Sequence, residues 1–322
     1  MKRPGTAGSS SEGEKHNFLS VLDFEPDELE QCLLLAERVK RERALGAKAP
    51  TAGALVGTHV ALVFEKPSLR TRLTFEIAVR ELGGDVVLLI GEAALGAREP
   101  VADVARNLER WVKAAVIRTF AQEIVAEVAR VAPRLRVINA LTDQEHPCQA
   151  LADVLTLKER WGTWQGRTVA FVGDGNNVAT SLAHAGVMLG VSIRVASPEG
   201  YELPSRVVEE AARVARHGAQ LRLFRDPQEA VRGVDAVYTD VWTSMGQESE
   251  TARKGGVFAP YQVTSELMRH AAPGALFMHC LPAHRGEEVT VEVIESPCSV
   301  VFDQAENRLH TQKALLLTLM TR

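Results

Sequence analysis

The sequence predicts an α/β protein made of two doubly wound parallel-sheet domains in series, with the C-terminal helix expected to return to the first domain. Three observations carry the fold class. The chain has 322 residues, enough for two domains that each bury a core. Short apolar runs alternate with helix-period segments from about Phe24 onward, and that rhythm restarts near residue 148.

The first helix is expected over 26–45, because Pro26 suits the first helical position and Leu29, Leu33, Ala36 and Val39 share a face. A buried strand follows at 59–64, then a loop and a helix that ends at Gly83-Gly84. Further strands are expected at 85–90, 114–117 and 136–139, with helices near 100–111 and 121–131 between them. After a helix that begins near Pro147, strands are expected at 167–172, 191–196, 220–224, 236–238 and 276–278, and a last helix over 305–320. The resulting division is a tail at 1–16, a first domain at 17–147 joined by 305–322, and a second domain at 148–304.

Hydrophobic residues make up 46% and charged residues 24%, the balance of a folded chain. A net charge of -4 argues against nucleic acid as a partner, since such binders carry a basic excess, so any cationic site must be local. The Gly- and Ser-rich start lacks the roughly 7–15 apolar residues of a secretory signal. No window reaches the ~18 apolar residues of a membrane span. Cys32, Cys148, Cys280 and Cys298 are widely spaced and form no CxxC pair, which points to reduced thiols and a cytoplasmic location.

Phe64-Glu65-Lys66-Pro67-Ser68-Leu69-Arg70-Thr71-Arg72 lies between a strand and a helix. That is the carboxyl edge of an open sheet, where ligands bind and a helix presents unpaired N–H groups. Ser68 and Thr71 add hydroxyls, and Arg70 and Arg72 add forks suited to phosphate oxygens. Alone, the segment reads equally well as a capped helix with two solvated arginines. A second basic strand end, Val116-Ile117-Arg118-Thr119, brings Arg118 to the same edge and favours an anion cradle. His146-Pro147-Cys148-Gln149 opens a helix, so His146 stands at its entrance and Gln149 faces the same way one turn in. A histidine there is ordinary as a cap, yet one aimed donor to a developing oxyanion contributes roughly 10²–10³ in rate.

Phe171-Val172-Gly173-Asp174-Gly175-Asn176-Asn177 also runs from strand into helix. As a dinucleotide fingerprint it is weak, because Val178 replaces the third glycine and the next strand ends in Ala196-Ser197-Pro198 without an acid for a ribose. Asn177 instead suits a carboxylate or an amine. Asp240-Val241-Trp242-Thr243-Ser244-Met245-Gly246 offers a carboxylate for an amino-acid ammonium and a hydroxyl nearby, though an Asx turn is the plainer reading. His279-Cys280-Leu281-Pro282 follows another strand, where Cys280 is equally at home as a small buried hydrophobe.

Taken as a set, these segments resemble the ornithine carbamoyltransferase family from about residue 17 to the end. Ser68-Leu69-Arg70-Thr71-Arg72, Arg118 and His146-Pro147-Cys148-Gln149 resemble the carbamoyl-phosphate signature. Asp240 with Ser244-Met245-Gly246, and His279-Cys280-Leu281-Pro282, resemble the segments that select ornithine. Gln304-Ala305-Glu306-Asn307-Arg308 matches a stretch whose arginine reaches the carbamoyl group. Aspartate-using relatives carry proline where Cys280 stands and lack the Asp240 loop. Two positions depart from the pattern. Leu69 stands where many members have threonine, and Ala94 aligns with a glutamine that reaches carbamoyl phosphate from a neighbouring subunit, so Ala94 is left out of the site.

The resemblance implies a cytoplasmic homotrimer, or a multiple of trimers, that moves the carbamoyl group of carbamoyl phosphate onto ornithine without metal or cofactor. It implies Arg118, His146 and Cys280 as catalytic residues. Carbamoyl phosphate would meet these three together with Ser68, Leu69, Arg70, Thr71, Gln149, Leu281 and Arg308. Ornithine would meet Asn177, Asp240, Ser244, Met245 and Cys280. The alternatives are a putrescine or N-acylated ornithine carbamoyltransferase and, from another class, an NAD-dependent dehydrogenase.

Overall fold

The computed structural model describes residues 17–91, 95, 98–242 and 251–321, with 251–254 as backbone only. The expected tail at 1–16, together with Ala94, Ser244 and Met245, lies outside the described residues.

Pro26 opens α1 (Pro26–Glu42), which buries Leu29, Leu33, Ala36 and Val39 on one face as their spacing requires. The helix stops three residues short of the expected end, because the chain tightens into a 3-10 turn (Arg43–Lys48) kinked at Gly46, whose φ is +54°. There follow β1 (His59–Phe64), α2 (Leu69–Glu81), β2 (Asp85–Ile90), α3 (Val101–Trp111), β3 (Ala114–Arg118), α4 (Gln122–Val131) and β4 (Arg136–Leu141). These strands form a parallel sheet in the order β2-β1-β3-β4. β3 runs one residue beyond the expected strand, since Arg118 pairs with Phe64 and its carbonyl accepts from the Glu65 N–H at 3.0 Å.

A second unit begins with α5 (Pro147–Trp161) and continues with β5 (Thr168–Val172), α6 (Asn177–Met188), β6 (Ser192–Ala196), α7 (Ser205–Val214), β7 (Leu221–Phe224), α8 (Pro227–Val231) and β8 (Ala236–Thr239). It ends with α9 (Thr251–Phe258), α10 (Ser265–Met268), β9 (Leu276–His279), α11 (Val291–Ile294) and α12 (Val301–Met320). The five strands are again parallel, in the order β7-β6-β5-β8-β9. Both sheets are therefore doubly wound. The order reverses between β1 and β3 in the first and between β5 and β8 in the second, and at such reversals the loops part and leave a crevice beyond the carboxyl ends.

α12 starts four residues before the expected helix and packs against α1, α2 and α5, so it does return to the first domain. Its buried set runs all the way round the helix and includes Gln304, Asn307, Arg308, Thr311, Gln312 and Lys313. Such a helix lies within the molecule rather than on it, and its polar groups need partners. Lys313 meets Glu81 at 3.0 Å, and the Asn307 amide donates to Thr156 and Glu159.

Gly175 shows why the second glycine of the Gly173-x-Gly175 pair is there. A Cβ on it would fall 2.4 Å from the Leu203 N and 2.5 Å from the Glu202 carbonyl carbon. The Gly175 N–H donates to the Tyr201 carbonyl at 2.8 Å, so the glycine admits this chain's own loop. Gly175→Ala is expected to cost about 1–3 kcal/mol through that backbone clash. Urea denaturation would show the loss as a lower midpoint with an unchanged slope, and an unchanged midpoint would contradict the packing account.

Candidate active site

At the β1–β3 reversal, Ser68 precedes α2 with an extended backbone (φ -160°, ψ 106°), and its side chain makes no capping bond. The hydroxyl is thus not consumed by the helix it introduces. Leu69 is 65% exposed and turns its side chain outward, so its contribution to the crevice is its N–H at the start of α2. Arg70 is half-buried, while Thr71 lies inside. Arg118 ends β3 beside this loop and is itself buried.

Arg308 arrives from α12 and is buried as well. Its guanidinium donates from Nη1 to Gln149 Oε1 at 2.6 Å and from Nη2 to Thr71 Oγ1 at 2.5 Å. One side chain therefore ties α12, α5 and α2 at the crevice. His146 stands before α5 with a buried ring, and its backbone N–H donates to Ser181 Oγ on α6 at 2.9 Å. Among the described residues, the buried Nε of Arg118, Nε of Arg308 and Nδ1 of His146 have no hydrogen-bond partner in the protein. Each such group costs about 1–3 kcal/mol, and three in one crevice is the pattern of groups reserved for a ligand.

The electrostatics fit an anion site. Burial pushes Arg118 down to about 10, with the positive charge of Arg308 acting in the same direction, and it stays charged at neutral pH. Arg308 is lowered by burial, and Arg70 is among the charges acting on it. His146 is held well below the ordinary histidine range by burial, then by Arg308 and Arg118, so its ring is neutral. The site thus gathers guanidinium charge around one neutral imidazole, which can donate a single N–H to a carbonyl oxygen.

At the β5–β8 reversal, Asp240 is buried. It accepts from Asn176 Nδ2 at 2.8 Å and from the Cys280 thiol at 2.9 Å. Burial, and next the charge of Asp240, push the Cys280 thiol well above its ordinary range, so it acts as a neutral donor and not as a thiolate. A carboxylate with two donors keeps acceptor sites for an ammonium. Leu281 follows with φ +57° and gives its N–H to His279 Nδ1 at 2.8 Å, while His279 Nε2 faces Glu288 at 3.1 Å. Asn177 spends its Nδ2 on the Thr142 carbonyl at 2.6 Å, binding α6 to the loop before His146.

The structure thus gathers Thr71, Arg118, His146, Gln149 and Arg308 at one crevice, with Ser68, Leu69 and Arg70 at its rim, and pairs Asp240 with Cys280 at the other. Cys280, from the second half, lies near both Arg70 and Arg118 of the first. Donor atoms of Asp240, His279 and Cys280 lie within 4.8 Å of one another, as do those of His284, Glu287 and Glu288. In the first group both His279 nitrogens and the thiol are already engaged by protein, so no cation is needed to hold it together.

Sequence reasoning passes over Asn176, Asp153 and Gln304. Asn176 caps α6 with its Oδ1 and orients Asp240 with its Nδ2. Asp153 is fully buried and accepts from Gln149 at 2.8 Å and from Gln304 at 2.7 Å. The available signal was the four-residue spacing of Gln149 and Asp153, which places both on one face of α5.

Comparison with known proteins places this chain in a class. The family profile described as aspartate/ornithine carbamoyltransferase, carbamoyl-P binding domain, matches residues 16–159. The profile for the Asp/Orn binding domain of the same family matches residues 165–319. The chain is an aspartate/ornithine carbamoyltransferase in the sense of that family, and the relatives it resembles define the branch. It is 50% identical over 306 residues to the ornithine carbamoyltransferase of Symbiobacterium thermophilum, covering 94% of this chain and 97% of that one. The solved ornithine carbamoyltransferase from Pyrococcus furiosus superposes with a TM-score of 0.90 at 46% identity, covering 95% of this chain and 97% of its own. That from Thermus thermophilus gives 0.84 at 46% identity, covering 95% and 99%. The chain belongs to the ornithine carbamoyltransferase family.

Asp153 yields a prediction about stability. Burial raises its carboxyl to about 7, above the value near 4 of an unfolded chain. The folded state therefore holds the proton more tightly, and this contribution to stability is full below about pH 4 and lost as pH rises through about 7. Asp153→Asn removes the titration. The melting temperature of the variant minus that of the wild type should rise between about pH 4 and about pH 7 and then level off, whereas a constant difference would contradict the assignment.

Proposed function

We propose that this chain transfers the carbamoyl group of carbamoyl phosphate to the δ-amine of L-ornithine, giving L-citrulline and phosphate. The observation that carries the reading is the meeting of Arg118 and Arg308, with Arg70 near, around neutral His146 on a chain of net charge -4. A dianion with a carbonyl next to it matches that arrangement. In this reading residues 17–147 with the C-terminal helix bind carbamoyl phosphate, and residues 148–304 bind ornithine.

The phosphate sits on Ser68, the Leu69 N–H, Arg70, Thr71 and Arg118. The carbonyl oxygen is polarised by Thr71, Arg118 and His146, and Gln149 and Arg308 orient the carbamoyl group, with Cys280 and Leu281 on its far side. Ornithine places its α-ammonium on Asp240 with Ser244 near, its carboxylate by Asn177 and Met245, and its δ-amine beside Cys280 and Leu281. The amine attacks the carbonyl carbon, and the tetrahedral oxyanion is stabilised by donors already in place before it collapses with loss of phosphate. Attack requires the free base of an amine with a pKa of about 10, so turnover should climb with pH across the neutral range.

We further propose assembly as a homotrimer or a multiple of it, in the cytoplasm. Exposed apolar side chains support association: Leu69, Leu73 and Ile77 on α2, and Val87, Leu88 and Ile90 on the edge strand β2. A cavity of about 490 Å³ lined by Phe64–Leu69, Arg72, Ile90 and Gly91 opens beside them. Among the described residues no helix is long and apolar enough to cross a membrane. The dehydrogenase alternative gains nothing at Gly175, where loop 201–203 fills the space.

Assaying carbamoyl phosphate with ornithine, putrescine, N-acetylornithine and N-succinylornithine in parallel tests the substrate. Ornithine is expected to lead by at least about 100-fold in kcat/KM, since the acylated ornithines lack the ammonium that the buried Asp240 carboxylate would pair with and putrescine lacks the carboxylate. Putrescine or an acylated ornithine as the better acceptor would overturn the assignment, and so would a saturable thermal shift with NAD.

A further inference from the structure

Asp153 is 0% exposed and lies one helical turn beyond Gln149 on α5. Its Oδ1 accepts from Gln149 Nε2 at 2.8 Å and from Gln304 Nε2 at 2.7 Å, and Tyr238 OH lies 3.3 Å from Oδ2 and 3.0 Å from Gln304 Nε2. An oxygen that receives two amide N–H groups fixes the orientation of both amides, whether or not the other carboxyl oxygen carries a proton. With both Nε2 atoms turned toward Asp153, both Oε1 atoms must face away from it.

Each outward oxygen meets one half of the site. Gln149 Oε1 accepts from Arg308 Nη1 at 2.6 Å, and Arg308 reaches Thr71 with its other nitrogen. Gln304 Oε1 accepts from the His279 N–H at 3.1 Å, at the end of β9 from which Cys280 turns to Asp240. Flipping either amide would set an NH₂ against a donor and break its bond. Core packing alone would be served by an apolar residue. A buried carboxyl that burial raises to about 7 is costly there, and its two arms end at the two substrate sites.

We propose that Asp153 is a positioning residue that orients Gln149 and Gln304 together, setting Arg308 for carbamoyl phosphate and the His279–Leu281 strand end for ornithine. This rests on the proposed transferase reading. Asp153 touches neither substrate and acts through the two glutamines. It is the point at which α5, α12, β8 and β9 share one hydrogen-bond network, so misplacement on one side is transmitted to the other.

The test is steady-state citrulline formation by the full-length chain and three variants, each checked for folding by circular dichroism. Asp153→Ala frees both amides and is expected to lower kcat on the order of 100-fold while raising both KM values. Asp153→Asn keeps an acceptor oxygen for both glutamines and should recover most of that loss. Gln304→Met cuts one arm only, and should raise the ornithine KM by about tenfold while leaving the carbamoyl phosphate KM within about twofold. A folded Asp153→Ala with all constants within about threefold of wild type would overturn the proposal. If that variant does not fold, Gln304→Met decides, and equal changes in both KM values, or none, overturn it. A wild type that forms no citrulline would sink the functional reading itself, and this inference with it.

Discussion

The structure depends on holding like charges together away from water. Arg118 and Arg308 are both buried, burial lowers the pKa of each, and the charge of Arg308 lowers that of Arg118 further. Desolvating two guanidinium groups side by side is unfavourable by several kcal/mol, and a fold keeps such a pair only where something else supports it. Support inside the protein is partial: Arg308 has Gln149 and Thr71, while the Nε of each arginine is unpartnered among the described residues. In the proposed function a bound dianion supplies the missing part, and electrostatic strain in the free protein becomes binding energy for phosphate and stabilisation of the oxyanion that follows.

Much of the remaining architecture can be understood as the means of assembling that cluster from distant parts of the chain. Arg118 is delivered by a strand end, Thr71 by a helix start and Arg308 by a C-terminal helix that packs back on α1 and α2 of the first domain. The same helix sends Gln304 to the end of β9 in the second sheet, and α5 carries His146, Gln149 and Asp153 between the two. The two sheet reversals, each opening its own crevice, are linked by α5 and α12 rather than by a flexible connector. The second crevice has the complementary sign, with Asp240 held by Asn176 and Cys280. Opposite signs on the two sides suit a cationic amino acid meeting an anionic phosphate.

Local signals in the sequence reached far into this picture. Strands β1 and β2 stand where their apolar runs place them, and the first helix follows Pro26 and its four-position apolar face. Strand ends were less legible, because whether Arg118 belongs to β3 is decided by its pairing with Phe64 across the sheet, a nonlocal fact. The kink that shortens α1 hinges on the positive φ of Gly46, which a single glycine in a helix-like run does not announce. Candidate site residues at strand ends and helix starts stood out for a physical reason: those are the places where backbone N–H groups are unpaired and side chains reach the crevice. The orienting residues were not. Asn176, Asp153 and Gln304 act on neighbours brought close only by folding, and each looks in sequence like an ordinary cap or helix residue. Asn177, singled out for substrate, spends one of its two polar groups on Thr142, a contact no spacing rule foretells.

The central claim is that the guanidinium cluster is an anion site, and calorimetric titration of inorganic phosphate into wild type and Arg118→Met tests it most directly. Wild type should bind phosphate saturably, more weakly as salt is raised, and the variant should lose at least about tenfold in affinity, since a hydrogen bond to a charged group contributes about 1.5–3 kcal/mol. Equal phosphate affinity in a folded Arg118→Met variant, or no binding by wild type, would contradict it.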